Sequence, residues 1–310
     1  MKIERICMVG GSGFVGRHIA NQLTAREIRI RIPTRRRERV KELLVLPTVD
    51  VVEADVHNDD TLDRLCRGMD AVINLAGILH GDFKRVHVEL PRRIVAACRR
   101  NGVTRLLHMS ALHAGRDRRS EYLRSKGEGE RIVTESGLAT TLFRPSVIFG
   151  PGDSSLSLFA RLARRLPVLP LASPDSRFQP VFVEDVAHAF ASSLDDPSTY
   201  HQRYDLCGPH RYTLRQLVEY AARLTGSKPL IIGLNDGLSR LQAMIMECLP
   251  GSILNRDSHA SMEVDSVCDP GCDPFGTVWK RRATSLEAVA PSYVPAPMPR
   301  ERRDRHRADR

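Results

Sequence analysis

The run Ile6-Cys7-Met8-Val9-Gly10-Gly11-Ser12-Gly13-Phe14-Val15-Gly16 joins an apolar tetrad, a glycine-rich turn and the start of a helical repeat. Ile6 to Val9 is a short, continuously apolar run that reads as a strand. Val15, Ile19 and Leu23 follow at helical spacing, so the order is strand, turn, helix. In that order the glycines have separate jobs. Gly10 permits the tight turn, Gly13 lets the backbone approach a pyrophosphate, and Gly16 lets helix and strand pack closely. The N–H groups that open the helix offer positive charge to phosphates. A bare glycine pattern describes many flexible loops. Flanked by this strand and this helix, Gly10-x-x-Gly13-x-x-Gly16 predicts a dinucleotide site.

The same alternation continues outward. Ile28, Ile30 and Ile32 alternate with arginines in a second strand stopped by Pro33, and Asp50 to Ala54 forms a third. Asp60 caps a helix with Leu62, Leu65, Cys66 and Met69 on its apolar face. Ala71 to Leu75 is a fourth strand, followed by a helix around Arg92 to Arg100 that stops at Gly102. Leu106 to Met109, a helix from Glu121 to Ser136, and a strand from Thr140 to Phe149 complete the series. Strands alternating with helices predict a doubly wound parallel sheet of the α/β class. The second half is less regular. It has a basic helix at Phe159 to Leu166, a proline-containing loop, a helix entered through Val183-Glu184-Asp185-Val186-Ala187, and a strand at Tyr204 to Cys207. Thr213 and Gln216 form a capping box for another helix. This divides the chain into a dinucleotide-binding core at 1–150, a smaller substrate lobe at 151–285 whose segment 181–208 returns to the core, and a Pro-rich, Arg-rich tail at 286–310, expected to be disordered.

Composition narrows the function classes. With 310 residues, 42% of them hydrophobic, the chain can bury a sizeable core and is not fibrous or wholly disordered. No window approaches the ~18 uninterrupted apolar residues of a membrane span. Met1 to Arg5 leads straight into a strand, so no signal peptide is expected and the expected compartment is the cytoplasm. The net charge of +10 comes almost entirely from arginine, because only six of the 47 basic residues are lysine. That charge is scattered, and at 5% aromatic content there is little to stack on bases, so no nucleic-acid partner is expected. Seven cysteines in such a compartment predict reduced thiols, and Cys268 with Cys272 lacks the second ligand pair of a zinc site.

Chemistry concentrates at three further places. After the second strand, where an acid would hold the ribose hydroxyls of NAD, the chain reads Pro33-Thr34-Arg35-Arg36-Arg37. Arginines there suit a 2′-phosphate, so NADP(H) is the preferred cofactor, with NAD(H) as the alternative. Arg37 is assigned to a solvated helix face. Asp55-Val56 stands where an adenine amino group is bonded, although Asp55 equally suits a helix cap. Finally, Tyr122 and Lys126 lie at i and i+4 on one helix face. A phenol of ordinary pKa ~10 transfers protons poorly at neutral pH, and a lysine cation one turn away makes that transfer feasible. Ser110, at the end of the fifth strand, is placed to orient a carbonyl.

These features together resemble the extended or atypical branch of the short-chain dehydrogenase/reductase superfamily. More narrowly, the chain is similar to the group related to the NAD(P)H-binding accessory subunit of respiratory complex I, also called NAD-dependent epimerase/dehydratase. The matching stretches are Gly10 to Gly16, Thr34 to Arg39, Asn74-Leu75-Ala76-Gly77, Arg124-Ser125-Lys126, Arg144 to Asp153, and Val181 to Ala187, and the likeness runs through roughly residue 230. The resemblance implies a Rossmann fold. It also implies that Gly10, Ser12, Gly13, Phe14 and Val15 line the pyrophosphate, while Arg35 and Arg36 meet the 2′-phosphate. By the same likeness Leu75, Ala76 and Gly77 pass beneath the adenosine ribose, Tyr122 and Lys126 face the nicotinamide ribose, and Pro145 to Val147 lie near the carboxamide. It implies either an NADP(H)-dependent oxidoreductase or epimerase/dehydratase of unnamed substrate, or a non-catalytic nucleotide-binding accessory or assembly protein of a respiratory membrane complex. The second choice would make the protein peripheral to the inner membrane. In the C-terminal quarter, Leu238, Leu241, Met244, Ile245 and Cys248 form one apolar helix face. That face covers the lobe's own core or, with the basic run Arg300 to Arg310, contacts a membrane.

Overall fold

The computed structural model describes residues 2–116, 120–234 and 264–294, in two compact units. The first takes in 2–116, 120–146, 183–207 and 268–283. Its centre is a seven-stranded sheet made of β1 (Arg5–Val9), β2 (Arg29–Thr34), β3 (Val49–Glu53), β4 (Ala71–Asn74), β5 (Arg105–Met109), β6 (Ala139–Pro145) and β11 (Gln202–Leu206). The spatial order is β11-β6-β5-β4-β1-β2-β3 and every pairing is parallel. Strand order therefore reverses between β1 and β4, and ligands of such sheets bind at that reversal.

Both faces of the sheet are covered, as a buried parallel sheet requires. On one face, Cys7, Val9, Val72, Leu106 and Leu142 pack against Leu62 and Leu65 of α3 (Asp59–Cys66), Ile94 and Cys98 of α4 (Leu90–Arg100), and Val133 of α5 (Glu121–Thr134). The alternate residues Ile6 and Met8 are equally buried. Phe143 stacks on Phe190 of α7 (Val183–Ser193) with centroids 4.1 Å apart, and α7 packs beside α1 (Phe14–Thr24) on that opposite face. The predicted doubly wound α/β sheet is thus realised.

Local departures from the sequence reading have local causes. β2 runs through Pro33 to Thr34, because β1 pairs with it only as far as Arg31; beyond that the missing N–H costs no ladder bond on that side. The cap of α3 is Asn58, whose side chain accepts the Thr61 N–H, and not Asp60. The predicted strand from Thr140 to Phe149 is two strands, β6 and β7 (Ile148–Phe149), because the chain leaves the large sheet after Ser146. The helix expected around Arg92 begins earlier. A π-helical stretch, Lys84–Glu89, runs directly into α4, and Pro91 in the first turn of α4 has no N–H to return to the His87 carbonyl. The expectation of reduced thiols fails at one pair. Cys207, at the end of β11, is disulfide-bonded to Cys268 across 61 residues of sequence, tying the segment 268–283 to the sheet edge. The same segment is held by the Trp279 indole N–H on Ser193 Oγ and by Arg281 against the buried Asp185. Cys272 is a free, exposed thiol, and Cys7, Cys66 and Cys98 are free and buried.

The second unit takes in 147–182, 208–234, 264–267 and 284–294. Leu156 and Ala160 of α6 (Ser155–Arg165) pack against Leu214, Leu217 and Ala221 of α8 (Leu214–Leu224), with Phe149 and Phe178. The Thr213–Gln216 capping box forms as expected, with Gln216 N–H on Thr213 Oγ1 at 3.2 Å and Thr213 N–H on Gln216 Oε1 at 2.8 Å. The proline-containing loop carries β8 (Val168–Leu171), paired with β13 (Leu230–Gly233). Residues 286–294, expected to be part of a disordered tail, instead form the helix Leu286–Tyr293. Leu286, Ala290 and Val294 enter the unit's core, and the Tyr293 hydroxyl donates to Asp153 at 2.6 Å, which outweighs the internal Pro291. The apolar face at Leu238 to Cys248 and the Arg300 to Arg310 run lie outside the described residues. Among the described residues no helix is long and apolar enough to cross a membrane, and no group of side chains has a metal-binding arrangement.

Candidate functional site

The turn after β1 is shaped by contacts that exclude side chains. Gly10 has φ +79°, and a Cβ there would sit 2.8 Å from the Ala76 amide nitrogen. A Cβ on Gly16 would collide with the Gly11 carbonyl, so the close approach at Gly16 is to the turn itself. Gly13 differs. It is the N-cap of α1 at φ −79°, ψ 179°, and among the described residues a Cβ would meet only the Gly10 carbonyl oxygen, at 3.3 Å. Among the described residues no side chain caps α1 and its first turn carries no acid, so no side-chain charge offsets the positive end of the helix. Ser12 and Phe14 are half-buried beside them, and Val15 points into the core.

From this turn a continuous line of contacts runs across the strand ends. Gly10 abuts Leu75 and Ala76 at the end of β4, and the Leu75 N–H donates to Val9. Asn74 shapes this corner. Its Oδ1 accepts the Ala76 N–H at 3.1 Å, and its amide meets His108 Nδ1 at 3.0 Å across the neighbouring strand. Next comes Gly77, which is exposed and whose Cβ position lies 3.0 Å from Lys126 Nζ. The Lys126 side chain, only 5% exposed, donates to the Met109 carbonyl at 3.4 Å, a long bond for a cation with three protons. Burial lowers its pKa to about 8, so the ammonium persists at neutral pH. Burial, and then the Lys126 charge, push His87 and His108 down to about 3, leaving both imidazoles neutral.

Tyr122 stands one turn before Lys126 on α5, its ring half-buried and edge-on to His87 at 5.6 Å. Ser110 follows β5, and its N–H is bonded to Phe143. Its Oγ is buried and has no hydrogen-bond partner among the described residues. A buried hydroxyl left in that state is costly unless something else satisfies it. α5 itself is anchored by a buried pair. Arg144, at the end of β6, grips Glu130 with Nε on Oε1 at 2.6 Å and a second bond from Nη2 to Oε2.

The remaining sequence-assigned residues lie nearer the surface. Thr34 ends β2, and its Oγ1 accepts the Arg36 N–H at 3.4 Å. Arg35 and Arg36 are exposed, and among the described residues neither guanidinium makes an ion pair. Asp55 accepts the His57 N–H at 3.0 Å in a turn before α3, and Val56 packs against the core. Pro145 closes β6, while Val147 opens the second unit. Residues with no assigned role in the sequence reading include His87, His108, Ser125 and the Arg144–Glu130 pair. Asn74, Ser125 and Arg144 fell inside motif stretches; nothing local marks His87.

A sheet that reverses at β1/β4, a glycine turn there, and a buried lysine one turn from a tyrosine define a doubly wound α/β protein of the Rossmann kind with a candidate nucleotide site. The chain belongs to the NAD dependent epimerase/dehydratase family, whose model matches residues 6–207. It is 33% identical over 226 residues to the mouse mitochondrial NADH dehydrogenase [ubiquinone] 1 alpha subcomplex subunit 9, covering 70% of this chain and 60% of that one. It therefore spans less than two thirds of that relative. It is also 33% identical over 236 residues to the ceramide reductase of Caulobacter vibrioides, covering 74% of each chain. In fold it is similar to a dTDP-glucose 4,6-dehydratase from Streptomyces venezuelae solved with NAD bound. That TM-score is 0.76 at 18% identity, over 94% of this chain and 95% of the other.

Proposed function

We propose that this protein is an NADP(H)-dependent oxidoreductase or epimerase/dehydratase, with the second unit as its substrate lobe. The observation that carries the reading is the buried Lys126 ammonium, bonded only weakly to Met109 and lying against exposed Gly77 one turn from Tyr122. Desolvated, and with one long bond among the described residues, it suits the hydroxyls of a ribose as acceptors. Gly10, Ser12, Gly13, Phe14 and Val15 would hold the pyrophosphate, with Leu75 to Gly77 along the adenosine ribose and Pro145 and Val147 near the carboxamide. Thr34, Arg35 and Arg36 would take the 2′-phosphate, and Asp55 with Val56 would meet the adenine.

A bound nicotinamide supplies or accepts the hydride. Tyr122 gives the balancing proton to the substrate oxygen or takes it back, Lys126 favours the phenolate that this leaves, and Ser110 Oγ donates to the same oxygen. The bacterial relative is named for a reduction, which favours this reading. The mouse relative is named as a subunit of a respiratory dehydrogenase, which favours a second one: a nucleotide-binding accessory protein of a membrane complex.

Equilibrium titration tests the cofactor. NADPH should bind more tightly than NADH, and Arg35→Ala with Arg36→Ala should erase the difference, each charge-assisted contact contributing about 1.5–3 kcal/mol. Equal affinities in the unsubstituted protein would remove the arginines from the site. To separate the two functions, protein charged with NADPH is incubated with a metabolite extract and its nucleotide is assayed. Oxidation that disappears in Tyr122→Phe, with NADPH affinity retained, is the expected result for an enzyme. A nucleotide that stays reduced in both proteins excludes net reduction of anything in the extract. It leaves the accessory reading and a redox-neutral epimerase/dehydratase, which returns the hydride to its product.

A further inference from the structure

The loop 76–82 after β4 carries Gly77, yet most of it is in solvent: Gly77, Leu79, His80, Gly81 and Asp82 are all exposed. Something must hold Gly77 against Lys126. The Ile78 N–H donates to His87 Nε2 at 3.1 Å, and His87 is only 2% exposed. An Nε2 that accepts leaves the ring proton on Nδ1, which lies 2.9 Å from Ser125 Oγ. Ser125 Oγ then donates to the Tyr122 carbonyl at 2.9 Å. One imidazole therefore joins the exposed loop to the turn of α5 that bears both Tyr122 and Lys126.

The surrounding fold fixes that ring. Phe83 stacks on it with centroids 5.5 Å apart and Tyr122 meets it edge-on. Its backbone lies in the π-helical stretch, where Pro91 leaves the His87 carbonyl without its usual helical partner. That carbonyl abuts Gly129, where any Cβ would collide with it, so α5 approaches closely. His87 Nε2 lies 3.8 Å from the Cβ position of Gly77 and Lys126 Nζ lies 3.0 Å from it, so the three groups converge at one point. A phenylalanine would meet the packing requirement. Only a side chain with one acceptor and one donor also meets the hydrogen-bond requirement.

We infer that His87 is a positioning residue of the nucleotide site, setting the distance between the Gly77 loop and the Tyr122–Lys126 turn through its two ring nitrogens. The inference rests on the nucleotide reading above. The test is NADPH titration of the full chain carrying His87→Phe, His87→Gln or Ser125→Ala, with circular dichroism to confirm folding. His87→Phe should weaken NADPH binding tenfold or more. His87→Gln, which still has one acceptor and one donor, should stay within threefold of the unsubstituted protein. Equal affinity in His87→Phe and the unsubstituted protein would overturn the inference alone. So would a glutamine variant as weak as the phenylalanine one, because the loss would then not follow the donor and acceptor that the two ring nitrogens supply. If His87→Phe does not fold, Ser125→Ala decides: a threefold loss supports the inference and an unchanged affinity overturns it. An unsubstituted protein that binds no nicotinamide nucleotide would overturn the nucleotide reading and this inference together.

Discussion

Gly13→Val should abolish NADPH binding while leaving the protein folded, a loss of at least a hundredfold in affinity by titration. The backbone at Gly13 is extended, a conformation valine adopts readily, and among the described residues its Cβ would meet only the Gly10 carbonyl at 3.3 Å. The folded state should therefore lose no more than about 1 kcal/mol. The added branch would occupy the space in which a pyrophosphate must reach the amides of α1. Gly16→Val is the contrasting control. Its Cβ would be driven into the Gly11 carbonyl, so that variant should lose stability before binding can be asked about. Normal nucleotide affinity in Gly13→Val would show that phosphates do not approach this turn.

Glu130→Ala should destabilise the protein by about 3–5 kcal/mol, measured as a fall in the urea midpoint, because it leaves the Arg144 guanidinium buried without its carboxylate. The two side chains are 6% and 9% exposed, and their contact is bidentate, the geometry in which removing one partner costs most. The double variant Glu130→Leu with Arg144→Met, which removes both charges and keeps volume, should recover most of that loss. A single variant within 1 kcal/mol of the unsubstituted protein would mean that water reaches the pair. Glu130 lies one turn beyond Lys126 on α5, so the same substitution should also loosen the candidate site.

Much of this protein was legible without coordinates because the signals are local. A strand, a glycine turn and a helix follow one another within Arg5–Val9 and Phe14–Thr24, and covalent neighbours must stay together. Short apolar strand segments alternating with helices of 3.6-residue period predicted the parallel sheet with helices on its faces. Tyr122 and Lys126 share a helix face by spacing alone. The folded arrangement decided everything that depends on residues far apart in the chain. Nothing in an arginine's neighbours separates Arg105, which is buried and bonded to Leu194, Ala139 and Thr141, from Arg35 and Arg36 in solvent. Cys207 and Cys268 are 61 residues apart and meet only because segment 268–283 returns to the edge strand β11. His87 reads as one more polar position before a helix, and becomes a hinge-pin only when β4, the π-helical stretch and α5 converge on its ring. Periodicity reports which way a side chain points. It does not report what stands opposite, because that partner is chosen by the packing of whole elements and not by the next residues in the chain.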